Sequence, residues 1–467
     1  MKAKRAILSI LISTSIINFS KATNADTLTL HLHQPGHWIR TGFIGLSFEA
    51  PSLTSNNFNL SNKVYVNLLR NLGPGWFRFG GNSVEYTYWK RVPPGTQGRI
   101  LSTIQPDNLT NVFRFARGIG WKVILGVNLG HYNPEMAADE AHYAVIHGGS
   151  VLKGIEIGNE PDLFNRNGLR PRSYNYAAYQ KDFVNYVHAI RKRTPGAPIG
   201  GPAFAYKLPW FKSFTQNEAA NTTLFTFHEY PTGKPQHPTP QVLLSRSVTD
   251  RMYNVTSTLI ADAAPTHISV RMGEMNSAYD GGMPGTSDVY ASALWLADAL
   301  YTFADQGIVG VNLHGGFGVG GYTPIDDNRG VFTPAPEYYG ALLFHIGAIG
   351  HTVPVTLNTI NNVGAHATIT TSGTLRVVII NKDELHSETV SIPLPSTYRA
   401  GNAIILDAPS LSSKNGISLA GSSVSKQGTW LPRTSTSVQV RDGVAKVTVR
   451  PITAMLITFH IDIHKSH

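Results

Sequence analysis

Gly154-Ile155-Glu156-Ile157-Gly158-Asn159-Glu160-Pro161-Asp162 is the stretch on which the reading of this chain turns. A short apolar run enters Gly158, and Pro161 withholds the N–H that a continuing strand would need. Glu160 is therefore expected just past the end of a strand. Further along, Ile268-Ser269-Val270-Arg271-Met272-Gly273-Glu274-Met275-Asn276-Ser277 repeats the pattern, with Glu274 at a strand end. Working outward from these two, comparable runs occur at 43–48, 75–79, 121–127, 151–157, 197–200, 224–228, 267–273 and 308–314. The run at 151–157 is then the fourth strand and that at 267–273 the seventh.

Helical spacing fills several of the gaps. Leu60, Val64, Leu68 and Leu72 share one stripe, which stops at Gly73-Pro74. Tyr179, Phe183, Val187 and Ile190 share another, which stops at Pro195-Gly196. A third helix is expected over 287–306, with Thr286-Ser287-Asp288 as its cap. Strands alternating with helices imply a parallel sheet, and eight such units close into an α/β (β/α)8 TIM barrel over 40–349. After Ile349 helical spacing ends, Thr and Val dominate, and short runs are separated by turns such as Ser372-Gly373 and Asp442-Gly443. Residues 350–467 are thus expected to form a β-sandwich. The alternating segment Leu28, Leu30, Leu32 places an N-terminal strand within 26–39, expected to pair with that sandwich.

Composition narrows the class. Of 467 residues, 42% are hydrophobic and 15% charged, a globular balance. There is no cysteine, which excludes disulfides, cysteine nucleophiles and thiolate metal sites. Met1-Lys2-Ala3-Lys4-Arg5, an apolar run to Phe19, and Ala22-Thr23-Asn24-Ala25 read as a cleavable signal peptide over 1–25. The expected localisation is secreted or periplasmic. No later stretch reads as a membrane span. The net charge of +10 favours acidic partners. Arg191-Lys192-Arg193 sits at a helix end, where it complements the helix dipole. No nucleic-acid-binding motif accompanies it, so a nucleic-acid partner is not expected.

Two carboxyl groups at strand ends on the C-terminal face of a barrel suit glycoside hydrolysis. One donates a proton to the leaving oxygen, and the other attacks the anomeric carbon or activates water. Glu160 and Glu274 are the candidates. Glu156 lies inside its strand, where an unpaired charge would be costly. Asn159, beside Glu160, is placed to hydrogen-bond a sugar hydroxyl. Asn82 follows the Gly80-Gly81 turn, and His228 and Tyr230 end the sixth strand; all three are candidates for the same face.

The chain resembles glycoside hydrolase family 79, the β-glucuronidases and heparanases. The likeness runs through Phe77-Arg78-Phe79-Gly80-Gly81-Asn82, Gly158-Asn159-Glu160-Pro161-Asp162-Leu163-Phe164 and Gly273-Glu274-Met275-Asn276-Ser277-Ala278-Tyr279, and through the C-terminal β-domain. It implies retention of configuration, with Glu160 as acid/base and Glu274 as nucleophile. Glu49, at the end of the first strand, resembles the family's acidic residue that binds sugar hydroxyls. Arg78, placed at the end of the second strand, is the nearby cation expected to keep Glu274 ionised. The family meets the substrate's C5 carboxylate with neutral donors. The matching positions are Tyr279, a glycine amide at Gly281 or Gly282, and Tyr322. The sequence departs from some members in carrying Asp280 directly after Tyr279.

The expectation is a retaining β-glucuronidase that releases terminal glucuronic acid or its 4-O-methyl ether, as a monomer, with no cofactor or metal. An endo-β-glucuronidase of heparanase type, acting on acidic polysaccharide such as heparan sulfate, is the alternative. The segment 165–172 after Glu160 separates the two by closing the cleft or lining it with Arg166, Arg170 and Arg172. A barrel glycosidase for arabinose or xylose would not need the segment from Tyr279 to Gly282. A non-catalytic binding protein would not keep both glutamates.

Overall fold

In the computed structural model of the protein, the described residues are 25–461 without Pro35 and Gln97. The signal peptide expected over 1–25 lies outside them except for its last residue. Eight parallel strands close a barrel: β1 (Ile44–Glu49), β2 (Trp76–Gly80), β3 (Lys122–Val127), β4 (Leu152–Ile157), β5 (Ile199–Phe204), β6 (Leu224–Glu229), β7 (Val270–Met275) and β8 (Val311–His314). Each pairs with the next, and β8 pairs with β1. The strands are short, apolar and buried on both faces, because helices cover the outside and side chains fill the inside. All eight expected runs are barrel strands. The fifth is longer than its sequence signal, since Gly200, Gly201 and Pro202 hide a strand that continues to Phe204.

One long helix follows each strand, with a four-residue helix also at Phe164–Asn167 and at Pro240–Leu243: α1 (Lys63–Asn71), α2 (Pro106–Ile119), α3 (Pro134–Gly148), α4 (Tyr176–Arg193), α5 (Leu208–Glu218), α6 (Arg246–Ala263), α7 (Tyr290–Asp305) and α8 (Pro336–Gly347). The expected cap of α7 is a correction. Thr286-Ser287-Asp288 does not cap it; Ser287 and Asp288 instead accept from Met283 and Gly285 in the preceding turn. The helix begins at Tyr290, and the first two N–H groups donate to Ser413 and Leu411 carbonyls of the second domain. A tertiary contact satisfies the donors that a local side chain was expected to satisfy.

The C-terminal strands form one long sheet folded over its own core. Leu28, Val390, Ile392 and Val447 from one layer face Val377, Ile379, Ile457 and Phe459 from the other. Asp26–Leu30 joins this sheet between Val355–Leu357 and Glu388–Pro393. Trp38–Ile39 pairs with Gly350–Val353 at its far edge. Helix α7 is buried along almost its whole length between barrel and sandwich, which explains why it is apolar all round.

Candidate active site

The C-terminal ends of the strands open into a cleft of about 880 Å³. Glu160 follows β4 in a left-handed backbone conformation (φ 50°, ψ 49°) that a non-glycine residue rarely adopts. Its N–H donates to the Ala203 carbonyl at 2.9 Å and its carbonyl accepts from Leu163 at 2.8 Å, which holds the turn. Beside it the buried Asp162 carboxylate accepts from the backbone N–H groups of Ala205, Tyr206 and Lys207, tying the loop after β5 to the loop after β4.

Glu274 lies within β7, where the pairing with β6 shifts register between Phe227 and His228. Such a bulge re-aims side chains at a barrel rim. Gly273 belongs to the same irregularity. A Cβ there would come within 3.1 Å of Glu156 Oε1 and 3.2 Å of Thr226 Cβ, so a glycine leaves room for the ion pair beneath. Both oxygens of Glu274 are engaged: Oε1 accepts from the Tyr230 hydroxyl at 2.7 Å, and Oε2 from Arg78 Nη1 at 2.7 Å.

Arg78 is the hub of the site, but it is not at a strand end. It lies in the middle of β2, fully buried, and also donates to Glu156 at 2.7 Å, Asn159 Oδ1 at 2.9 Å and Ser47 at 3.2 Å. Glu156 is therefore paired inside its strand, and its burial is balanced by the cation that also serves Glu274.

The two candidate glutamates differ in proton affinity. Burial, the Glu274 charge and then Asp162 raise the pKa of Glu160 well above the usual carboxylate range. Burial also pushes Glu274 upward, but His314, His228, Arg78 and the Tyr230 hydrogen bond outweigh it and bring it down to about 2. Burial lowers His228 itself to about 4, so it is neutral near neutral pH. The persistent cation beside Glu274 is thus Arg78. His314 joins it when protonated: burial opposes that charge, but Glu274 and Glu49 raise its pKa. An oxygen of Glu160, an oxygen of Glu274 and a ring nitrogen of His228 all lie within 4.8 Å of one another. His228 Nδ1 stands 3.0 Å from Glu160 Oε1.

Most of the other expected residues meet here. Glu49 lines the cleft and accepts from the N–H and hydroxyl of Ser83. Gly81, at φ 67°, keeps clear of that carboxylate, which a Cβ would approach to 2.4 Å. Asn82 lines the cleft and accepts from Asn159 Nδ2 at 3.2 Å, while Asn159 lies beneath, nearly buried. Tyr279, Gly281 and Tyr322 line the opposite wall. The Tyr279 hydroxyl is held by Gln236, and the Gly281 backbone lies beside the Tyr322 hydroxyl. Gly282 is different: its N–H donates to the Ala278 carbonyl at 3.1 Å and it does not line the cleft, so of the two glycines Gly281 faces the space. Asp280 also lines the cleft, in a left-handed conformation. Of the three arginines in 165–172, Arg166 lines the cleft, whereas Arg170 is turned to Asp182 and to the Leu129 and Gly130 carbonyls.

His314 and Glu85 escaped the sequence reading, as did the role of Tyr230. His314 ends β8, and the rule that selected Glu49 at the end of β1 would have selected it too. Tyr230 was weighed, but nothing local shows that it reaches Glu274. Glu85 carries no sequence signal at all: buried, it accepts from the N–H groups of Leu129, Gly130 and Asn159 and so pins the backbone next to Glu160.

With this geometry in view, residues 120–301 match the model of the glycosyl hydrolase family 79 N-terminal domain, and residues 365–456 that of the family 79 C-terminal beta domain. The two segments together make up more than half of the chain. The chain belongs to glycoside hydrolase family 79. Among relatives of this family 79 member, the β-glucuronidase of Neurospora crassa is 27% identical over 68% of this chain and 65% of that one, so the match spans just under two thirds of that relative. The heparanase of Bos taurus is 24% identical over 69% of each. Among solved structures, a 4-O-α-L-rhamnosyl-β-D-glucuronidase from Fusarium oxysporum superposes with a TM-score of 0.78 at 20% identity, over 91% of this chain and 97% of that one. A GH51 arabinofuranosidase from Xanthomonas axonopodis pv. citri follows at 0.70 and 15%, over 93% of this chain and 100% of that one. These likenesses in structure speak for the fold alone.

Proposed function

We propose that the chain is a retaining β-glucuronidase acting on terminal β-linked glucuronic acid or its 4-O-methyl ether, with Glu274 as nucleophile and Glu160 as acid/base. The observation that carries it is the carboxylate pair. Oxygens within 4.8 Å leave no room for the intervening water of an inverting enzyme, whose carboxyls stand about 6.5–9.5 Å apart; retaining pairs stand at about 5–5.5 Å. In the first step Glu274 attacks the anomeric carbon, the glycosidic bond breaks, and Glu160 delivers its proton to the leaving oxygen. With Nδ1 as its protonated nitrogen, neutral His228 occupies Glu160 Oε1 and leaves Oε2 to carry that proton. The resulting ester removes the charge on Glu274, one of the causes that raise Glu160, so Glu160 becomes a stronger acid. As a carboxylate it then takes a proton from the water that breaks the ester.

The wall of Tyr279, Gly281 and Tyr322 offers neutral donors to the C5 carboxylate, and Glu49 and Asn82 serve the ring hydroxyls, with Asn159 holding Asn82 from beneath rather than meeting the sugar as expected. The two-carboxylate mechanism calls for no metal, and Glu274 is oriented by Tyr230 and Arg78. The heparanase alternative draws on the exposed Arg166 on the cleft wall and on the likeness to heparanases. The decisive experiment compares p-nitrophenyl β-glucuronide with the β-glucoside and β-xyloside. A preference for the glucuronide is expected, abolished in Glu274→Ala. Glu160→Ala should lose activity that added azide restores. Normal activity in Glu274→Ala would overturn the assignment, and no release from any of the three would move the reading to endo cleavage of heparan sulfate. We further propose that residues 1–25 direct export of a monomeric enzyme; N-terminal sequencing and light scattering of the secreted protein test both points.

A further inference from the structure

At the opposite end of the barrel lies a second cavity, a groove of about 980 Å³ between the N-terminal rim of the strands and the edge of the sandwich. Its construction follows from the topology. Adjacent strands β1, β2, β3 and β4 begin here, and just before or at their starts stand Arg40, Trp76, Lys122 and Lys153. Trp76 and Lys122 are direct cross-strand partners. Lys153 lies where the β3–β4 register shifts: Val123 faces Leu152 and Ile124 faces Gly154, so Lys153 is the extra residue and is turned out, exposed, at the rim. Neighbouring strands are about 4.8 Å apart, so the row forms a continuous arc. Trp38, 49% exposed, faces it from the sandwich edge beside Ile349, which is 46% exposed.

No acidic residue lines the groove, and among the described residues no ion pair involves Arg40, Lys122 or Lys153. Some exposed cations elsewhere on this protein do find carboxylates, as Lys90 and Arg193 do at Asp139 and Lys414 does at Asp288. The bottom face of a barrel ordinarily serves stability alone. Three cations without counter-charges beside a half-exposed indole are the opposite of what stability asks for. They suit a ligand that carries repeated negative charge and also presents flat apolar faces. A uronic-acid polysaccharide does both: ring C–H faces pack on an indole, and carboxylates meet ammonium and guanidinium groups.

We infer that this groove is a second glycan-binding site, which holds an acidic, uronate-containing polysaccharide against the back of the barrel while the cleft works on chain ends. The choice of glycan rests on the proposed glucuronidase reading; the groove itself does not. The net charge of +10 draws such a polymer to the whole surface, but the groove adds an ordered row with an aromatic ring.

The test is native gel electrophoresis of the full protein through gels containing polyglucuronate, neutral dextran or DNA, with three proteins compared: wild type, Lys122→Gln/Lys153→Gln and Trp38→Ala. All three should hydrolyse p-nitrophenyl β-glucuronide at the same rate, because the groove lies at the far end of the strands; that rate also reports folding. Polyglucuronate should retard the wild type, and both variants should bind it roughly tenfold more weakly, while dextran retards none. Unchanged retardation in both variants would overturn the inference. So would equal retardation by DNA that is lost in parallel, which would reduce the groove to a general polyanion surface, or a wild-type dimer in solution that the Trp38 variant dissociates. Retardation lost in both variants of an enzyme that hydrolyses no glucuronide would refute the proposed activity and leave the groove standing.

Discussion

Glu160 and Glu274 are the same residue type, both nearly buried, and they part company through their neighbours. Glu274 has a guanidinium and a phenol on its oxygens; Glu160 has a neutral imidazole and two carboxylates nearby. Pairs whose environments push their pKa values apart take the acid and base roles of a reaction. The pH dependence follows in sign. Activity needs Glu274 ionised and Glu160 protonated, so kcat/KM should fall in acid as Glu274 takes a proton and fall in alkali as Glu160 loses one. With Glu274 brought down to about 2 and Glu160 raised, the plateau between them should be broad. Tyr230→Phe removes a hydrogen bond to a charged group, about 1.5–3 kcal/mol, so kcat should drop about 10- to 100-fold and the acid limb should move to higher pH. An acid limb that stays in place in this variant would mean that Tyr230 does not hold the nucleophile.

Helix α7 carries the join between the domains. Its Asp298 is buried and accepts from Lys382 at 2.7 Å and from His366 at 3.1 Å, both on sandwich strands or their ends, while Asp305 meets the other nitrogen of His366 at 2.7 Å. Burial opposes the charge on His366, but its bonds to Asp298 and Asp305 prevail and raise it to about 9. A histidine raised in the folded state stabilises fully below its unfolded value of about 6.5, and that contribution fades as pH rises through the folded value. Burial likewise opposes the charge on Asp298, yet Lys382 and His366 hold its pKa below the usual range, so its contribution is lost only in strong acid. The melting temperature should therefore fall between about pH 6 and pH 9, and His366→Gln should flatten that fall. A wild-type slope that persists in the variant would assign the dependence elsewhere. The same helix shows why its cap was misread: Ser287 and Asp288 are good capping residues, but a neighbouring turn takes them, and the loop at 411–413 completes the helix instead.

Over the whole molecule, barrel and sandwich share surfaces that neither could leave exposed. The buried flanks of α7, the Asp298 cluster and the Tyr290 hydroxyl bonded to the Leu406 and Ile452 carbonyls all lie in the contact. Scanning calorimetry should accordingly show one transition, with calorimetric and van't Hoff enthalpies in agreement. Two resolved transitions would mean that the sandwich melts alone. The molecule also presents two unlike ends, a carboxylate-bearing cleft at the C-terminal ends of the strands and a cationic groove at their starts.

The residues alone determined the short apolar runs, the breaks at Gly158 and Pro161, and thus the eight strands with Glu160 after the fourth and Glu274 at the end of the seventh. These features are local: strand propensity, burial on both faces and a proline stop act within a few residues of each other. What only the tertiary structure decided is which glutamate holds a proton, that Arg78 works from mid-strand, that Gly281 and not Gly282 faces the cleft, that Tyr230 reaches Glu274, and that His314 and Glu85 belong to the site. Arg78 and Glu274 are 196 residues apart in the chain, and Glu85 and Asn159 are 74 apart. No local pattern encodes the distance between such groups; barrel closure does, and their pKa values follow from that distance and from the water that closure excludes.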